Sequence, residues 1–287
     1  MSNPEVKSFF DKPSHTVTHL VIDPDSTACA VIDPVLDFDQ ASGRTSSESA
    51  DQVLRYIEMK GLQINLILET HAHADHLSAA SYLHTKCGAP ICIGEHITTV
   101  QQTFKALFNE GDDLATDGSQ FQQLLKEGDQ LSIGSLNCEV LFTPGHTPAC
   151  VSYLIGDTVF VGDTLFMPDY GTARADFPGG DAKQLYRSIQ RILSLPDETR
   201  LFLCHDYEVP GRGIIWESTV GIQKATNIHI KKGTSESEFV EFRSVRDKTL
   251  AMPQLILPSL QVNIRAGNLP PPEDNGVAYL KLPLNQL

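Results

Sequence analysis

The feature that most restricts what this chain can fold into is the run His71-x-His73-x-Asp75-His76, which follows the short apolar stretch Ile64–Leu68. In an extended segment alternate residues face the same side, so His71 and His73 point one way. A turn into a following helix then brings Asp75 and His76 round to a neighbouring position. Imidazole and carboxylate donors suit zinc, iron or manganese. The alternative, a solvated polar turn that happens to collect histidines, leaves the other pieces of the pattern unexplained.

Those pieces also sit at the ends of apolar runs. His146 lies in Thr143-Pro144-Gly145-His146-Thr147-Pro148, Asp163 in Val161-Gly162-Asp163-Thr164, and His205 closes Leu201-Phe202-Leu203-Cys204-His205. Loops at strand ends are where a rigid scaffold displays functional groups, and glycine beside His146 and Asp163 allows tight turns. His15, His19, His96 and His229 have no metal-like neighbours and read as surface or partly buried structural residues, as does His84 on a helix face. The six cysteines read as small core residues; Cys150 and Cys204 stand out only because they lie near ligand motifs.

The rest of the pattern supplies strands and covering helices. Val17–Ile22 and Cys29–Ile32 flank a polar turn and read as a hairpin. Ser46–Lys60 reads as a helix stopped by Gly61, and Leu77, Ala80, Leu83, His84 and Cys87 fall on one helical stripe stopped by Gly88. Ile91–Ile93 is a strand, Val100 to Phe108 a helical pattern, and Asn109–Gln120 a loop. Strands follow at Cys138–Phe142, Val151–Ile155, Val159–Val161 and Leu201–Cys204, with a capped helix at Asp181–Leu195. One or two helices are expected between Glu217 and Lys248, then an extended tail. Two strand-rich halves, each with helices, predict two sheets packed together and covered outside.

Charge and composition narrow the function. The chain of 287 residues is 41% hydrophobic and 20% charged, the balance of a globular protein, with a net charge of -14. Lys231-Lys232 is its only basic pair, so a nucleic-acid partner is disfavoured. No CxxC pair is present, which argues against a zinc knuckle. The first seven residues lack an apolar h-region and no apolar run approaches a membrane span. The expectation is a cytoplasmic protein with reduced thiols and no membrane partner.

Taken in order, HxHxDH, PGHT, GDT and a final His resemble the metallo-β-lactamase superfamily, over about Val17 to Val209. The resemblance implies an α/β chain folded as an αββα sandwich, two mixed β-sheets packed face to face with helices on the outside. It also implies a single domain over 1–287, with a core at about 9–210 and a helical or extended extension at about 211–287. Within the superfamily the chain is similar to the persulfide dioxygenases. The likeness rests on Ala30–Leu36, on Pro144–Cys150 (with Ala149 where a Gly is common), on Gly171–Phe177 as G-x-x-R-x-D-F, on Cys204-His205-Asp206-Tyr207, and on Gly267–Pro270. The stretch Gln101–Gln122 departs from the shortest members and is expected to reshape the pocket rim or supply an oligomer interface.

This likeness implies one Fe(II) per subunit held by His71, His146 and Asp163, which leaves open positions for substrate and dioxygen. It implies glutathione persulfide oxidised with O2 and water to sulfite and glutathione, with Arg174 and Tyr207 at the substrate. His73, Asp75, His76 and His205 would orient the ligands, and a homo-oligomer, dimer or tetramer, is expected. The ligand list leaves a second reading open. His71, His73 and His146 could hold one zinc and Asp75, His76 and His205 another, with Asp163 bridging, as in the thioester hydrolase glyoxalase II. The flanking segments favour the dioxygenase, and no counterpart of glyoxalase II's basic C-terminal glutathione-binding helix is apparent. Arg174 has a structural alternative too, an ion pair with Asp176 or Asp181.

Overall fold

The computed structural model describes residues 2–286. Its first half runs β1 (Glu5–Asp11), β2 (Thr16–Ile22), β3 (Ala28–Ile32), β4 (Val35–Asp39), β5 (Arg44–Ser46), α1 (Glu48–Lys60), β6 (Gln63–Leu68), β7 (Leu77–Ser78), α2 (Ala80–Cys87), β8 (Ile91–Gly94), α3 (Ile97–Leu107) and β9 (Gln123–Leu125). The second half runs β10 (Gln130–Ile133), β11 (Leu136–Phe142), β12 (Val151–Ile155), β13 (Thr158–Phe160), α4 (Ala182–Leu193), β14 (Arg200–Phe202), β15 (Glu217–Thr219), α5 (Val220–Thr226), α6 (Glu236–Asp247) and α7 (Ile256–Asn263).

The strands form two six-stranded sheets, ordered β1-β2-β3-β6-β8-β9 and β10-β11-β12-β13-β14-β15, with a small β5-β4-β7 sheet beside them. Both large sheets are mixed: β3, β6, β8 and β9 pair in parallel, as do β13 and β14, and the remaining neighbours are antiparallel. Alternation along the strands sets the layers. Val21, Ala30 and Ile32 pack into a core shared with Val140, Tyr153 and Phe160 of the second sheet. Their neighbours Leu20, Ile22, Cys29 and Val31 face the opposite way, against Val53 and Ile57 of α1, Leu83 of α2 and Phe104 of α3. On the far side Val159 and Leu201 meet Leu185, Ile189 and Ile192 of α4 and Phe239 of α6. The result is the αββα sandwich. Each large apolar side chain so buried contributes about 1.5–3 kcal/mol, so the three packed layers dominate the folding free energy.

The β2–β3 hairpin forms as read, with His19 opposite Ile32 and Ile22 opposite Cys29. Helix α4 is capped by Asp181, whose carboxylate accepts from the backbone N–H groups of Lys183 and Gln184 at 2.7 and 3.0 Å. Several details differ from the sequence reading. Strand β1 was not foreseen, because its polar alternation is that of an edge strand paired on one side only. The stripe from Leu77 is not helical at its start: Leu77 and Ser78 pair with Leu36 and Val35 of β4, and α2 begins at Ala80, leaving Cys87 exposed. Helix α1 begins at Glu48, since Arg44–Ser46 is used by β5.

Helix α7 was not foreseen either, and it matters. Its Asn263 is buried, accepts the Ser78 N–H at 2.8 Å, and donates to the carbonyls of His73 and His76 at 2.8 Å each. One amide from the C-terminal region therefore satisfies three backbone groups of the histidine loop. Asn263→Ala leaves those groups unpaired in a buried place and is expected to destabilise the protein by roughly 2–4 kcal/mol. Urea unfolding should show a lowered midpoint at an unchanged slope.

Candidate metal centre

Every residue of the sequence pattern arrives at one end of the sandwich. The first sheet brings His71 to His76 from the end of β6. The second brings His146 from the β11–β12 loop, Asp163 from the turn after β13, and His205 from just beyond β14. The sheets are stitched together there. The Val17 N–H donates to the Cys204 carbonyl at 2.7 Å, and the Val151 N–H to the Thr70 carbonyl at 2.9 Å. Gly162 is required by this closeness: it sits at φ +49°, and a Cβ there would lie 2.6 Å from the Thr70 hydroxyl.

Within the cluster one ligand atom each from His71, His146 and Asp163 falls inside a mutual reach of 4.8 Å. Asp163 Oδ2 is 3.9 Å from His71 Nε2 and 3.6 Å from His146 Nε2. Around a metal with bonds of about 2.1 Å, neighbouring donors lie about 3.0–3.5 Å apart, so a small contraction closes this set. His73 groups elsewhere: with Asp33 and Glu69, with Asp75 and His76, and with Cys204 and His205. His205 Nε2 stands 3.1 Å from Asp163 Oδ1 and 3.2 Å from Asp75 Oδ2.

Hydrogen bonds set which ring nitrogen is free. The Thr70 hydroxyl donates to Asp33 Oδ2 at 2.9 Å, so at 3.0 Å it accepts from His71 Nδ1–H. His146 Nδ1–H donates to the Arg174 carbonyl at 2.9 Å. Both rings therefore present a bare Nε2 lone pair to the site, the form a metal needs. His73 is oriented the other way round: its Nε2–H points at Asp33 Oδ1, 2.9 Å away, with Glu69 Oε2 at 3.3 Å. Thr16 Oγ1 lies between His76 Nδ1 and His205 Nδ1, at 3.2 and 3.3 Å.

His71 Nε2, His73 Nδ1, His76 Nε2, Asp163 Oδ1 and His205 Nε2 are all buried without a hydrogen-bond partner. Unpaired buried polar atoms are costly and rare; five of them converging from three chain segments fit a metal ion, and this His/Asp cluster is a metal-binding site. The electrostatics agree. Burial alone would raise the Asp163 carboxyl, yet His205, His71 and His146 hold it well below the usual carboxylate range. His71 is pushed well below the ordinary imidazole range by burial and by His73. Burial also lowers His205, but Asp75 and Asp163 outweigh it and raise that imidazole well above.

The centre opens into a cavity of about 1020 Å³ whose wall includes Asp75, His146, Asp163, Phe166, Tyr170, Arg174, Phe177 and Tyr207. Tyr207 is stacked on Tyr170, ring centroids 4.3 Å apart. Arg174 is on the wall, but its guanidinium is spent on Asp176, at 2.6 and 2.8 Å, and on the Ala251 carbonyl at 2.8 Å. Its structural alternative is thus realised through Asp176, while its carbonyl aims His146. Residues 101–122 do not reach this wall. That stretch is tied instead to the C-terminal region, by Gln101 donating to the Ile264 carbonyl and Arg265 pairing with Glu110 and Asp113. The expected effect on the pocket rim is absent.

Sequence reasoning missed several groups. Asp33, Glu69, Thr16 and Thr70 hold the histidines, yet lone acids and hydroxyls at strand ends carry no ligand signature. The Asp33-Pro34 pair was the available signal, since Asp33 is held at φ +51°, a conformation few residues adopt. His15 and His229, read as structural, both line the cavity. So do Arg243 and Arg246 of α6, which means a C-terminal helix does bring arginines to the pocket.

The metallo-β-lactamase superfamily model matches residues 13–205. This chain belongs to the metallo-β-lactamase superfamily. It is a metal-dependent enzyme of that group. It is 53% identical to a probable metallo-hydrolase of Burkholderia pseudomallei, over 98% of this chain and 99% of the relative. It is 54% identical to a β-lactamase hydrolase-like protein of Xylella fastidiosa, over 100% of this chain but only 66% of that longer protein. It is 49% identical to glyoxylase B2 of Dictyostelium discoideum, over 100% and 99%. More distantly it is 30% identical to the mitochondrial persulfide dioxygenase ETHE1 of Mus musculus, over 93% and 90%. Among solved structures, ETHE1 from Myxococcus xanthus superposes with a TM-score of 0.72 at 30% identity, over 92% of this chain and 100% of that one. No helix among the described residues is long and apolar enough to cross a membrane.

Removing a ligand removes the ion: His71→Ala, His146→Ala and Asp163→Ala are each expected to abolish metal binding, measured as metal content after gel filtration. Thr70→Val keeps the ligands but loses the hydroxyl that aims His71. It should weaken metal affinity by about 10–100-fold in a chelator competition.

Proposed function

We propose that this superfamily member is a persulfide dioxygenase with one Fe(II) per chain, bound by His71, His146 and Asp163. The observation that supports this reading is that His71, His146 and Asp163 close a two-histidine, one-carboxylate set by themselves, with Asp163 Oδ2 3.9 and 3.6 Å from the two Nε2 atoms. Such a set would leave coordination positions open for substrate and dioxygen, and His146 and Asp163 line the large cavity. The overall likeness to ETHE1 across nearly the whole of both chains adds to it. The reading takes residues 1–287 as one catalytic domain.

Bound iron would supply a redox-active Lewis acid able to bring a persulfide sulfur and dioxygen together. The chain's own residues do the rest. His71 and His146 offer neutral imidazoles whose protons are held at Nδ1 by Thr70 and the Arg174 carbonyl. Tyr170, Tyr207, Phe166 and Phe177 give the cavity an aromatic wall, which holds the thiol carrier and excludes bulk water. His205, between Asp75 and Asp163, is placed to hold a proton as charge develops. The balanced reaction takes glutathione persulfide, O2 and one water to glutathione and sulfite with release of two protons; the sulfur–sulfur bond breaks and the outer sulfur is oxidised.

The competing reading is a dinuclear zinc thioester hydrolase. What favours it is that His73 Nδ1, His76 Nε2 and His205 Nε2 are also unpartnered, and that relatives at 49–54% identity bear hydrolase or glyoxylase names. One experiment separates the two. Protein loaded anaerobically with Fe(II) is given glutathione persulfide, and oxygen uptake and sulfite are followed together. Equimolar uptake and sulfite with one iron per chain is the expected outcome, and zinc-loaded protein should show neither. Iron-loaded protein that takes up no oxygen, with thioester cleavage by a form holding two zinc ions, would refute the dioxygenase.

A further inference from the structure

Gly171 opens the G-x-x-R-x-D-F stretch, but no chemistry at the metal centre calls for a glycine there. The structure supplies the reason. Gly171 sits at φ +99°, and a Cβ on it would lie 2.1 Å from His229 Nδ1. The backbone is packed directly against the imidazole of His229, a side chain from the loop after α5 that lines the cavity. The His229 residue is 9% exposed.

That imidazole is fixed in both place and tautomer. The Thr172 N–H donates to His229 Nδ1 at 3.0 Å. The Thr172 hydroxyl lies 3.3 Å from the same nitrogen and itself accepts from Arg243 Nη1 at 3.2 Å, so its own proton is free to point at Nδ1. Nδ1 is therefore an acceptor, and the ring proton must sit on Nε2. Asn227 holds the loop from beneath, accepting the His229 N–H at 2.9 Å and donating to the Gly171 carbonyl at 3.1 Å. The Phe242 ring packs on the imidazole at 4.5 Å between centroids. Burial, Arg243 and Arg246 push the imidazole down to about 3, so it stays a neutral donor throughout the physiological range.

The neighbouring arginines are unequal. Arg174 is neutralised by Asp176, and the buried Arg243 by Asp247, whose other oxygen accepts the Ala175 N–H. Arg246 lies one turn beyond Phe242 on α6 and also lines the cavity. Among the described residues no carboxylate is within ion-pair reach of it. A fixed neutral N–H donor and an unspent guanidinium on one wall suit an anionic, planar acceptor.

We propose that His229 and Arg246 form the subsite that recognises a carboxylate of the thiol carrier, making them specificity-determining residues and Gly171 the positioning residue that lets His229 reach the wall. The inference rests on the persulfide reading for the identity of the carrier. Binding can nevertheless be tested without turnover.

The probe is S-methylglutathione, with its diethyl ester as the carboxylate-free control, titrated calorimetrically into the metal-loaded full-length protein. Arg246→Gln and His229→Gln are each expected to weaken the free acid about 10- to 100-fold, and to leave the ester as weak as it is with the unmodified protein. Gly171→Ala should match His229→Gln, with no further loss when the two are combined. Arg246 is exposed, so its variant keeps the test valid if the Gly171 or His229 variants fold poorly. Unchanged affinity for the acid in Arg246→Gln and His229→Gln would overturn the subsite. Equal binding of acid and ester by the unmodified protein, or no binding of either, would overturn it as well. Oxygen uptake by the same preparation with glutathione persulfide reports on the dioxygenase reading separately: turnover without carboxylate discrimination removes the subsite alone.

Discussion

The buried carboxylate of Asp33 is the point on which the metal centre turns. It accepts the Thr70 N–H at 2.8 Å, the Thr70 hydroxyl at 2.9 Å and the His73 Nε2–H at 2.9 Å, and Cys204 Sγ lies 3.6 Å away. Through Thr70 it sets the tautomer of His71, and directly it sets that of His73. A charge desolvated to this degree is tolerable only when every lone pair has a partner. The neighbouring imidazoles accordingly keep it ionised far below the ordinary carboxylate range, against the pull of burial. The cost also appears in the backbone, where Asp33 is held at a positive φ. Strain of that kind persists only where surrounding contacts over-determine it.

A second consequence concerns folding. The candidate ligands come from both halves of the sandwich, His71 from the first sheet and His146 and Asp163 from the second, so the centre exists only when the two sheets are packed together. A bound ion ties them from the inside, as the hydrogen bonds at Cys204 and Thr70 do from the backbone. Metal affinity and folding free energy are then linked quantities, because an ion that binds only the packed state stabilises that state. Asn263 extends the linkage to the C-terminal region, since the loop carrying His73 and His76 hangs from its side-chain amide.

The C-terminal third also shapes what the centre can meet. Helix α6 and the loop before it place His229, Arg243 and Arg246 on the wall of the cavity that also carries the ring stack of Tyr170 and Tyr207. Chemistry at the metal belongs to the sheets. On the proposed reading, selection of the molecule that reaches it belongs to the helices and loops added after β14.

Much of this was legible in the chain alone. The histidine run after β6, the lone His146, Asp163 and His205 at later strand ends, and the apolar runs of β2 and β3 around their polar turn are legible because residue chemistry and local patterning carry them. The helical spacing of apolar residues, a period of about 3.6, likewise specified α1 and α4. Tertiary packing decided the rest. It made β1 a strand by giving it β2 to pair with, and it divided the Leu77 stripe between a strand and a helix. It turned His73 toward Asp33 and Glu69, spent Arg174 on Asp176, and brought His229 against Gly171 across 58 positions of chain. Such outcomes depend on which distant groups compete for one donor or one pocket, and a local pattern of residues holds no record of that competition.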